Sequence, residues 1–340
     1  MKVFASEHHM QHHAFELSRG RMIPSVESPE RAHMIATQLE VEGFALSDGD
    51  CPDDDLLHRV HTEAYIEFLR TAWDRWQVEV GNAAPAMAIS WPERSQPTRR
   101  PKHIVGQLGF HSFGADCSIV AGTWEAAFHA AGLAQSAADH VASGNGPAYA
   151  LCRPPGHHAT KDQFGGYCYI NNSAIAAQRL VDRGHKCVAI LDVDYHHGNG
   201  TQAIFYERAD VLTASIHANP ADEFPWFTGY ADEEGAGAGR GCNINLPLPL
   251  GSGRDAFFDA LVAALKEIET FGATALVIAL GTDAFVDDPL GTFQLSTDDF
   301  FAIGERVSML SLPVVSIQEG GYANAAIGAN VSAYLRGLVG

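Results

Sequence analysis

The sequence predicts an α/β protein whose central, mostly parallel β-sheet lies between two layers of α-helices. Short apolar segments of strand length alternate with amphipathic helical segments along most of the 340 residues. This alternation is typical of a parallel sheet that is covered by helices on both faces. The apolar runs are no longer than strands, so we expect no membrane-spanning segment.

Capping residues set the expected starts of several helices. Ser28 precedes Pro29, and this pair opens a helix because serine is a favourable N-cap and proline suits the first helical position. Thr62 and Thr123 open two further helices. The predicted helices are 29–43, 62–76, 123–142, 172–182, 254–271, 298–310 and one from about residue 325, and the predicted strands are 149–152, 188–193, 211–216, 275–280 and 314–318.

Two segments do not fit this alternation. Residues 78–106 contain four prolines and show no hydrophobic period, and residues 219–240 are rich in glycine, aromatic and acidic residues. Irregular stretches of this length in a compact domain are usually functional or interfacial. The alternative is a disordered surface segment, and it is favoured more for residues 78–106 than for residues 219–240.

The charge and the cysteines narrow the class of function. The chain has 22 lysine and arginine residues against 41 aspartate and glutamate residues, for a formal net charge of −19. Such a protein repels nucleic acid and anionic membranes and concentrates cationic ligands, although acidity also serves solubility alone. The six cysteines form no CxxC pair, and the N-terminal residues contain no hydrophobic signal region. We therefore expect reduced thiols and a cytoplasmic location.

Polar side chains follow five of the predicted strands at the point where each strand ends. Ligands of open parallel sheets bind at the carboxyl ends of the strands. We therefore interpret the five endings as parts of one site. The segments concerned are 153–158, 194–197, His217, 281–283 and 319–322.

Three of these side chains have the chemistry of a metal site. Asp194 and His196 are two residues apart, so an extended backbone projects both to the same side. Buried carboxylates must be matched by a positive charge or must coordinate a metal. With Asp283 they make three protein ligands and leave a fourth position open, as in catalytic zinc or iron sites. A buried strand that ends in a polar turn is the alternative for the first motif taken alone.

The neighbouring residues suit acid–base catalysis. His157 and His158 are the candidates for a general base that later protonates a leaving group. Asp192 is placed to hold one imidazole in its charged form, and Asn199 to orient the other without adding negative charge. Tyr322, on a glycine-rich turn, is placed to donate a hydrogen bond to a developing oxyanion.

At these residues the chain resembles the arginase–deacetylase superfamily, and within it the zinc-dependent histone-deacetylase-like proteins. The whole sequence is most similar to bacterial acetylpolyamine amidohydrolases. The resemblance implies one three-layer deacetylase domain over residues 1–340. The matching segments follow the family's order and are RPPGHH at 153–158, GGYCYINN at 165–172, DVDYHHGNG at 192–200, GTD at 281–283 and EGGY at 319–322.

The resemblance also implies roles for single residues. It implies that zinc is held by Asp194, His196 and Asp283. His158 would act as the general base and then the general acid, beside a pair formed by His157 and Asp192, and Tyr322 would polarise the acetyl carbonyl. Asn199 stands where some relatives have aspartate, which implies a less basic His158. A structural potassium ion would be held by Asp192, Asp194, His196, Ser215 and Ile216.

The substrate is implied in the same way. Tyr167 and Phe224 match the aromatic walls of the acyl-chain tunnel, with Gly166 beside them, and Asp116 and Glu16 are the candidate acids for a distal ammonium group. The insert at about 78–106 would form much of a homodimer interface and narrow the active-site mouth. That narrowing would exclude bulky protein substrates and admit thin, flexible amines.

The leading hypothesis is metal-dependent hydrolysis of N-acetylated polyamines or diamines, of the acetylputrescine or acetylcadaverine type, to acetate and the free amine. The close alternative is the same reaction on acetyl-lysine in proteins or on another small amide, because the motifs define only the reacting amide. A catalytically silent protein that binds acetylated amines is the alternative outside enzymes. Ferrous iron shares this ligand set with zinc, and an arginase-like dimanganese site would need additional ligands.

Overall fold

The computed structural model describes residues 1–340 and has a central sheet of eight parallel strands. The predicted α/β class with a parallel sheet is confirmed. The sheet order is β4-β1-β5-β10-β9-β6-β7-β8, and a separate antiparallel hairpin pairs β2 with β3. The strands are β1 (Lys2–Phe4), β2 (Phe15–Ser18), β3 (Arg21–Pro24), β4 (Leu46–Ser47), β5 (Ala148–Ala150), β6 (Val188–Asp192), β7 (Val211–Ala218), β8 (Asn243–Leu248), β9 (Ala275–Leu280) and β10 (Val314–Gln318).

Ten α-helices cover the two faces of the sheet. Helices α2 to α7 pack on one face, and α1 and α8 to α10 pack on the other. No helix combines the length and the apolar character that crossing a membrane requires. The helices are α1 (Pro29–Val41), α2 (Asp54–Val60), α3 (Glu63–Val80), α4 (Ile104–Phe110), α5 (Thr123–Ala142), α6 (Asn172–Asp182), α7 (Asn199–Phe205), α8 (Arg254–Phe271), α9 (Thr297–Ser308) and α10 (Asn324–Val339).

Strand β6 shows why the apolar runs are continuous. Val188 and Ile190 belong to one of the two hydrophobic cores, and Ala189 and Leu191 belong to the other. Because a central parallel strand is buried on both faces, both sets of side chains must be apolar. The first polar residue of this strand is Asp192, at its carboxyl end, and this is where the site begins.

The structure adds elements that the sequence patterns missed and extends one helix. Strand β1 has three residues and β4 has two, so neither shows a period, and the edge strand β8 contains two asparagines and a proline. Helix α3 runs to Val80, beyond the expected end near Trp76. Residues 81–103 contain no helix and only one isolated β-bridge, and 219–240 contain only a short 3₁₀ helix at Gly237–Gly239.

Candidate active site

The site lies where the central strands end. Strand β6 pairs with β9, and β9 pairs with β10, all in parallel. The loops after these strands therefore leave the sheet at the same edge. Asp194 and His196 follow β6, Asp283 follows β9, and Tyr322 follows β10.

Asp194, His196 and Asp283 come together at this edge. One potential ligand atom from each lies within 4.8 Å of the others. Nδ1 of His196 is 3.1 Å from Oδ2 of Asp283 and 3.5 Å from Oδ1 of Asp194. Both aspartates have no exposed surface. The same nitrogen of the imidazole thus faces both carboxylates.

Backbone groups hold the two carboxylates in place. The N–H groups of His196 and Gly320 donate to Asp194 at 2.9 and 2.8 Å, and the N–H of Tyr195 donates to Asp283 at 2.8 Å. A Cβ atom at Gly320 would lie 2.6 Å from an oxygen of each aspartate. Glycine at this position is therefore required by the close approach of the backbone to both carboxylates.

The charges of this group fit a divalent cation. Burial and the neighbouring Asp194 raise the pKa of Asp283 to about 7. Burial alone would lower the pKa of His196, but the two carboxylates outweigh it and raise this pKa to about 10. Two buried carboxylate oxygens that repel each other and one imidazole nitrogen are the donors that catalytic zinc and iron sites use. The residues present therefore fit a metal ion.

The tandem histidines in the loop after β5 have different partners. Nδ1 of His157 is 2.9 Å from Oδ2 of Asp192, and Nδ1 of His158 is 2.7 Å from Oδ1 of Asn199. Despite burial, Asp194 and Asp192 raise the pKa of His157 well above its usual value. Burial and the charges of His157 and His196 lower the pKa of His158 well below its usual value. The pair therefore divides into one charged and one neutral imidazole.

The next residue of the site is Tyr322, which lies in the loop between β10 and α10. Its N–H donates to Oδ2 of Asp288 at 2.6 Å, and the guanidinium of Arg31 lies 4.7 Å from the centre of its ring. Arg31 also donates to the carbonyl of Gly321 at 2.5 Å. Burial raises the pKa of Tyr322 well above its usual value, so its hydroxyl remains a hydrogen-bond donor. Sequence reasoning missed Arg31 and Asp288, which belong to no motif.

These side chains line a cavity of about 210 Å³. The rings of Tyr167 and Tyr322 are 5.7 Å apart, and the ring of Phe224 stands edge-on to His158 at 5.0 Å. No lysine or arginine lines the cavity. The lining residues are Asp116, His157, His158, Gly166, Tyr167, His196, Glu223, Phe224, Leu290 and Tyr322.

The predicted rim acids support the aromatic wall. The hydroxyl of Tyr167 donates to Glu16 at 2.7 Å, and the N–H of Gly166 donates to Asp116 at 2.8 Å. Asp116 is among the residues that line the cavity, and Glu16 is not. Glu223 is a lining acid that sequence reasoning missed, although its position next to Phe224 was a usable signal. Its carboxylate accepts a hydrogen bond from the hydroxyl of Tyr195 at 3.2 Å.

The residues implied for potassium include Asp194 and His196 of the metal group and their neighbours on β6 and β7. Asp192 and Ser215 are register partners on β6 and β7. The main-chain carbonyls of Asp194 and His196 accept no hydrogen bond, although Asp194 is fully buried. Carbonyl oxygens that are buried without a donor suit a monovalent cation. Ser215 also contacts Nδ1 of His217 through its hydroxyl at 2.8 Å, which gives that histidine a structural partner.

Comparison with known proteins places the chain in a family. A model of the histone deacetylase domain matches residues 25–338. The chain belongs to the histone deacetylase domain family. The resemblance drawn from the motifs is thus confirmed, as is the prediction of an enzyme that acts on amides.

Individual members of the histone deacetylase domain family match over most of the chain. Acetylpolyamine amidohydrolase from Mycoplana ramosa is 45% identical over 341 residues, which cover 99% of each protein. A histone deacetylase-like amidohydrolase from Pseudomonas aeruginosa is 36% identical over 312 residues, 88% of this chain and 73% of that protein. The crystal structure of acetylpolyamine aminohydrolase from Burkholderia pseudomallei has a TM-score of 0.94 at 40% identity, and the match covers 99% of this chain and 98% of that one.

We predict that replacing Asp283 by alanine removes the bound divalent metal. The purified native protein should carry about one divalent ion per chain, and Asp283→Ala should carry almost none because one of three protein ligands is lost. Elemental analysis after gel filtration measures this directly. Asp287→Ala is the matched control, since Asp287 is exposed and four residues along the same loop. Native metal content in Asp283→Ala would contradict the assignment.

Proposed function

We propose that the protein hydrolyses the amide of N-acetylated polyamines or diamines to give acetate and the free amine. The observation that carries this proposal is the cavity lining. Aromatic rings form its walls, its only acidic groups outside the metal group are Asp116 and Glu223, and no basic side chain other than histidine faces it. An apolar methylene chain that ends in an ammonium group matches this lining. The net charge of −19 adds a long-range attraction for such a cation.

In this proposal Asp194, His196 and Asp283 hold the metal, and zinc is the ion that their donor set favours, with ferrous iron sharing it. A divalent ion here supplies Lewis-acid polarisation of the acetyl carbonyl and lowers the pKa of water towards neutrality. The remaining chemistry belongs to the side chains around it.

His158 is the proposed general base. The contact between its Nδ1 and Asn199 leaves Nε2 free, and the low pKa keeps the ring neutral. Nε2 takes the proton of the attacking water and then delivers it to the leaving amine. His157 stays protonated against Asp192 and contributes positive charge where negative charge develops.

Tyr322 is the proposed donor to the acetyl oxygen. Its high pKa keeps the proton on the hydroxyl, and its position in the cavity lining lets that hydroxyl reach the substrate. A donor that is already oriented needs no reorganisation when the oxyanion forms. The contacts with Asp288 and Arg31 provide that orientation.

We also propose that a potassium ion binds next to the metal ligands. Asp192, Ser215 and Ile216 would hold it together with the free carbonyls of Asp194 and His196. Such an ion would fix the backbone from which the metal ligands project, and it takes no part in proton transfer.

We further propose that the whole chain acts as one catalytic domain and pairs with a second copy through the insert. Arg94 of the insert lies over the ring of Phe227 at 5.4 Å, so this segment borders the loop that carries Phe224. Large apolar side chains on both segments are exposed, with 77% of Ile89 and 72% of Phe227 accessible. Exposed apolar patches of this kind mark interaction sites. We also propose a cytoplasmic location, where the six free cysteines would stay reduced.

The function is tested by a substrate panel. N-acetylputrescine and N-acetylcadaverine should exceed an acetyl-lysine peptide in kcat/KM by about tenfold or more, a difference of about 1.4 kcal/mol, because a mouth narrowed by the insert would not admit the peptide backbone. Glu223→Gln should raise KM for N-acetylputrescine about fivefold and leave KM for the uncharged N-butylacetamide unchanged. Asp222→Asn, at an exposed neighbour, is the control. A preference for the peptide would overturn the proposed substrate class. If no amide is hydrolysed, the alternative of a catalytically silent binding protein is favoured.

Tyr322→Phe should retain the metal and lose most turnover. Removing one oxyanion donor costs about 10²–10³ in kcat, and the ring that packs against Arg31 is preserved. Steady-state kinetics and elemental analysis on the same sample measure both parts. Tyr334→Phe is the control, since Tyr334 is buried and bonds only Ser316. Native turnover in Tyr322→Phe would refute the carbonyl-polarising role.

Asn199→Asp should shift the acidic limb of the pH profile of kcat/KM to higher pH. A carboxylate beside Nδ1 stabilises the imidazolium of His158, so the pKa of His158 rises. The base must be neutral to act, and at a given low pH a smaller fraction is then neutral. Asn145→Asp, at an exposed position, should leave the limb in place. A limb that stays or moves to lower pH in Asn199→Asp excludes His158 as the base.

A further inference from the structure

Glu319, at the end of β10, is a buried carboxylate to which the reaction described above gives no role. It has no exposed surface and does not line the cavity. Its Oε2 accepts hydrogen bonds from the N–H groups of Gly156 at 2.6 Å and His157 at 3.0 Å. Its Oε1 accepts one from the hydroxyl of Ser173 at 2.7 Å. One side chain thus satisfies two successive backbone donors in the turn that carries the tandem histidines.

The backbone of Glu319 is fixed as firmly as its side chain. Its N–H donates to the carbonyl of Leu280 at 3.0 Å, and its carbonyl accepts from Nη2 of Arg31 at 2.7 Å. The next N–H along the chain, that of Gly320, donates to Asp194. Glu319 is therefore joined to the strand before Asp283, to a metal-capable aspartate and to the arginine beneath Tyr322.

A second metal site is the competing interpretation of this residue. Ligand atoms of Glu319, His157 and Cys168 lie within 4.8 Å of one another. Both carboxylate oxygens of Glu319 already accept hydrogen bonds, however, and Nδ1 of His157 is bonded to Asp192. A metal would have to displace these contacts and leave buried N–H groups without partners, which costs free energy. The geometry favours a structural connection.

We propose that Glu319 is a positioning residue that tethers the tandem-histidine turn to the loop of Tyr322. The tether sets the distance between the base His158 and the hydroxyl that polarises the acetyl carbonyl, so this inference rests on the proposed function. Burial raises the pKa of Glu319 to about 7, so its hold on the turn comes from the three hydrogen bonds of its side chain and does not need full ionisation. Because the backbone of Glu319 is itself fixed, the side chain holds the turn more firmly than a solvent molecule would.

Two substitutions separate a tether from a group that only fills space. Glu319→Gln keeps an oxygen for the two N–H groups and an amide for Ser173, so kcat should stay within about threefold of the native value. Glu319→Met has similar length but no acceptor, and kcat should fall about 100-fold, because a small misplacement of catalytic groups costs that much. KM and metal content should stay within about twofold in both, since neither the cavity lining nor a ligand is altered. Hydrogen exchange of the amides at 156–158 should accelerate in Glu319→Met alone.

The control is Asp299→Asn, which removes a buried carboxylate from the capping box of α9, where its side-chain partners are Ser296 and Arg254. It should lower stability without changing kcat. If Glu319→Met does not fold, Glu319→Asp replaces it, because a side chain one methylene shorter cannot reach both donors and should lower kcat. Native kcat in the Met or Asp variant overturns the proposal, as does Glu319→Gln being as slow as Glu319→Met. If the native protein hydrolyses no acetylated amine, the proposed function fails, and the exchange measurement still decides whether the tether exists.

Discussion

The repulsion between two buried carboxylates determines which groups must surround them in the active site. Asp194 and Asp283 leave adjacent parallel strands, have no exposed surface and face the same imidazole. Two buried carboxylates with oxygens within 4.8 Å of each other cost free energy unless positive charge and N–H donors surround them. The N–H groups of Gly320 and Tyr195 and the charged His157 meet part of that need, and the proposed divalent cation would meet the rest. The parallel sheet makes this possible, because strand ends bring N–H groups and carboxylates from distant segments to one edge.

The same electrostatic logic separates the two histidines. Their rings lie 4.0 Å apart, and both are almost fully buried. Two imidazolium groups at that distance would repel, so only one can be charged. Asp192 selects His157 for the charge, and the neutral amide of Asn199 leaves His158 without it. The type of hydrogen-bond partner, a carboxylate for His157 and an amide for His158, thus decides which ring is charged.

The parts of this site that depend on residues close together in the sequence could be predicted from the sequence. Asp194 and His196 follow an apolar strand within a few residues, so strand geometry alone predicts that they project together. Arg31 could not be predicted in this way, because it acts on residues 288 and 290 positions distant. Glu319 lies in a predicted strand ending, but its hydrogen bonds to residues 162 and 163 positions away could not be predicted. Such contacts depend on which residues meet in the folded structure, and the hydrophobic periodicity of the sequence does not record this. Strand β1 escaped prediction for a related reason, since three residues gain strand character only from their neighbours in the sheet.

Substrate selection and wall geometry are coupled in this cavity. Tyr167 adopts a left-handed backbone conformation with φ 65°, which is strained for a residue with a side chain. Its N–H donates to Sγ of Cys117, its hydroxyl donates to Glu16, and the preceding Gly166 donates to Asp116. Asp116 therefore does two things, because it is an acid of the cavity lining and it also holds the residue before Tyr167 in place. The acidity of the cavity and the position of its aromatic wall are thus linked through this one carboxylate, so a change at Asp116 affects both.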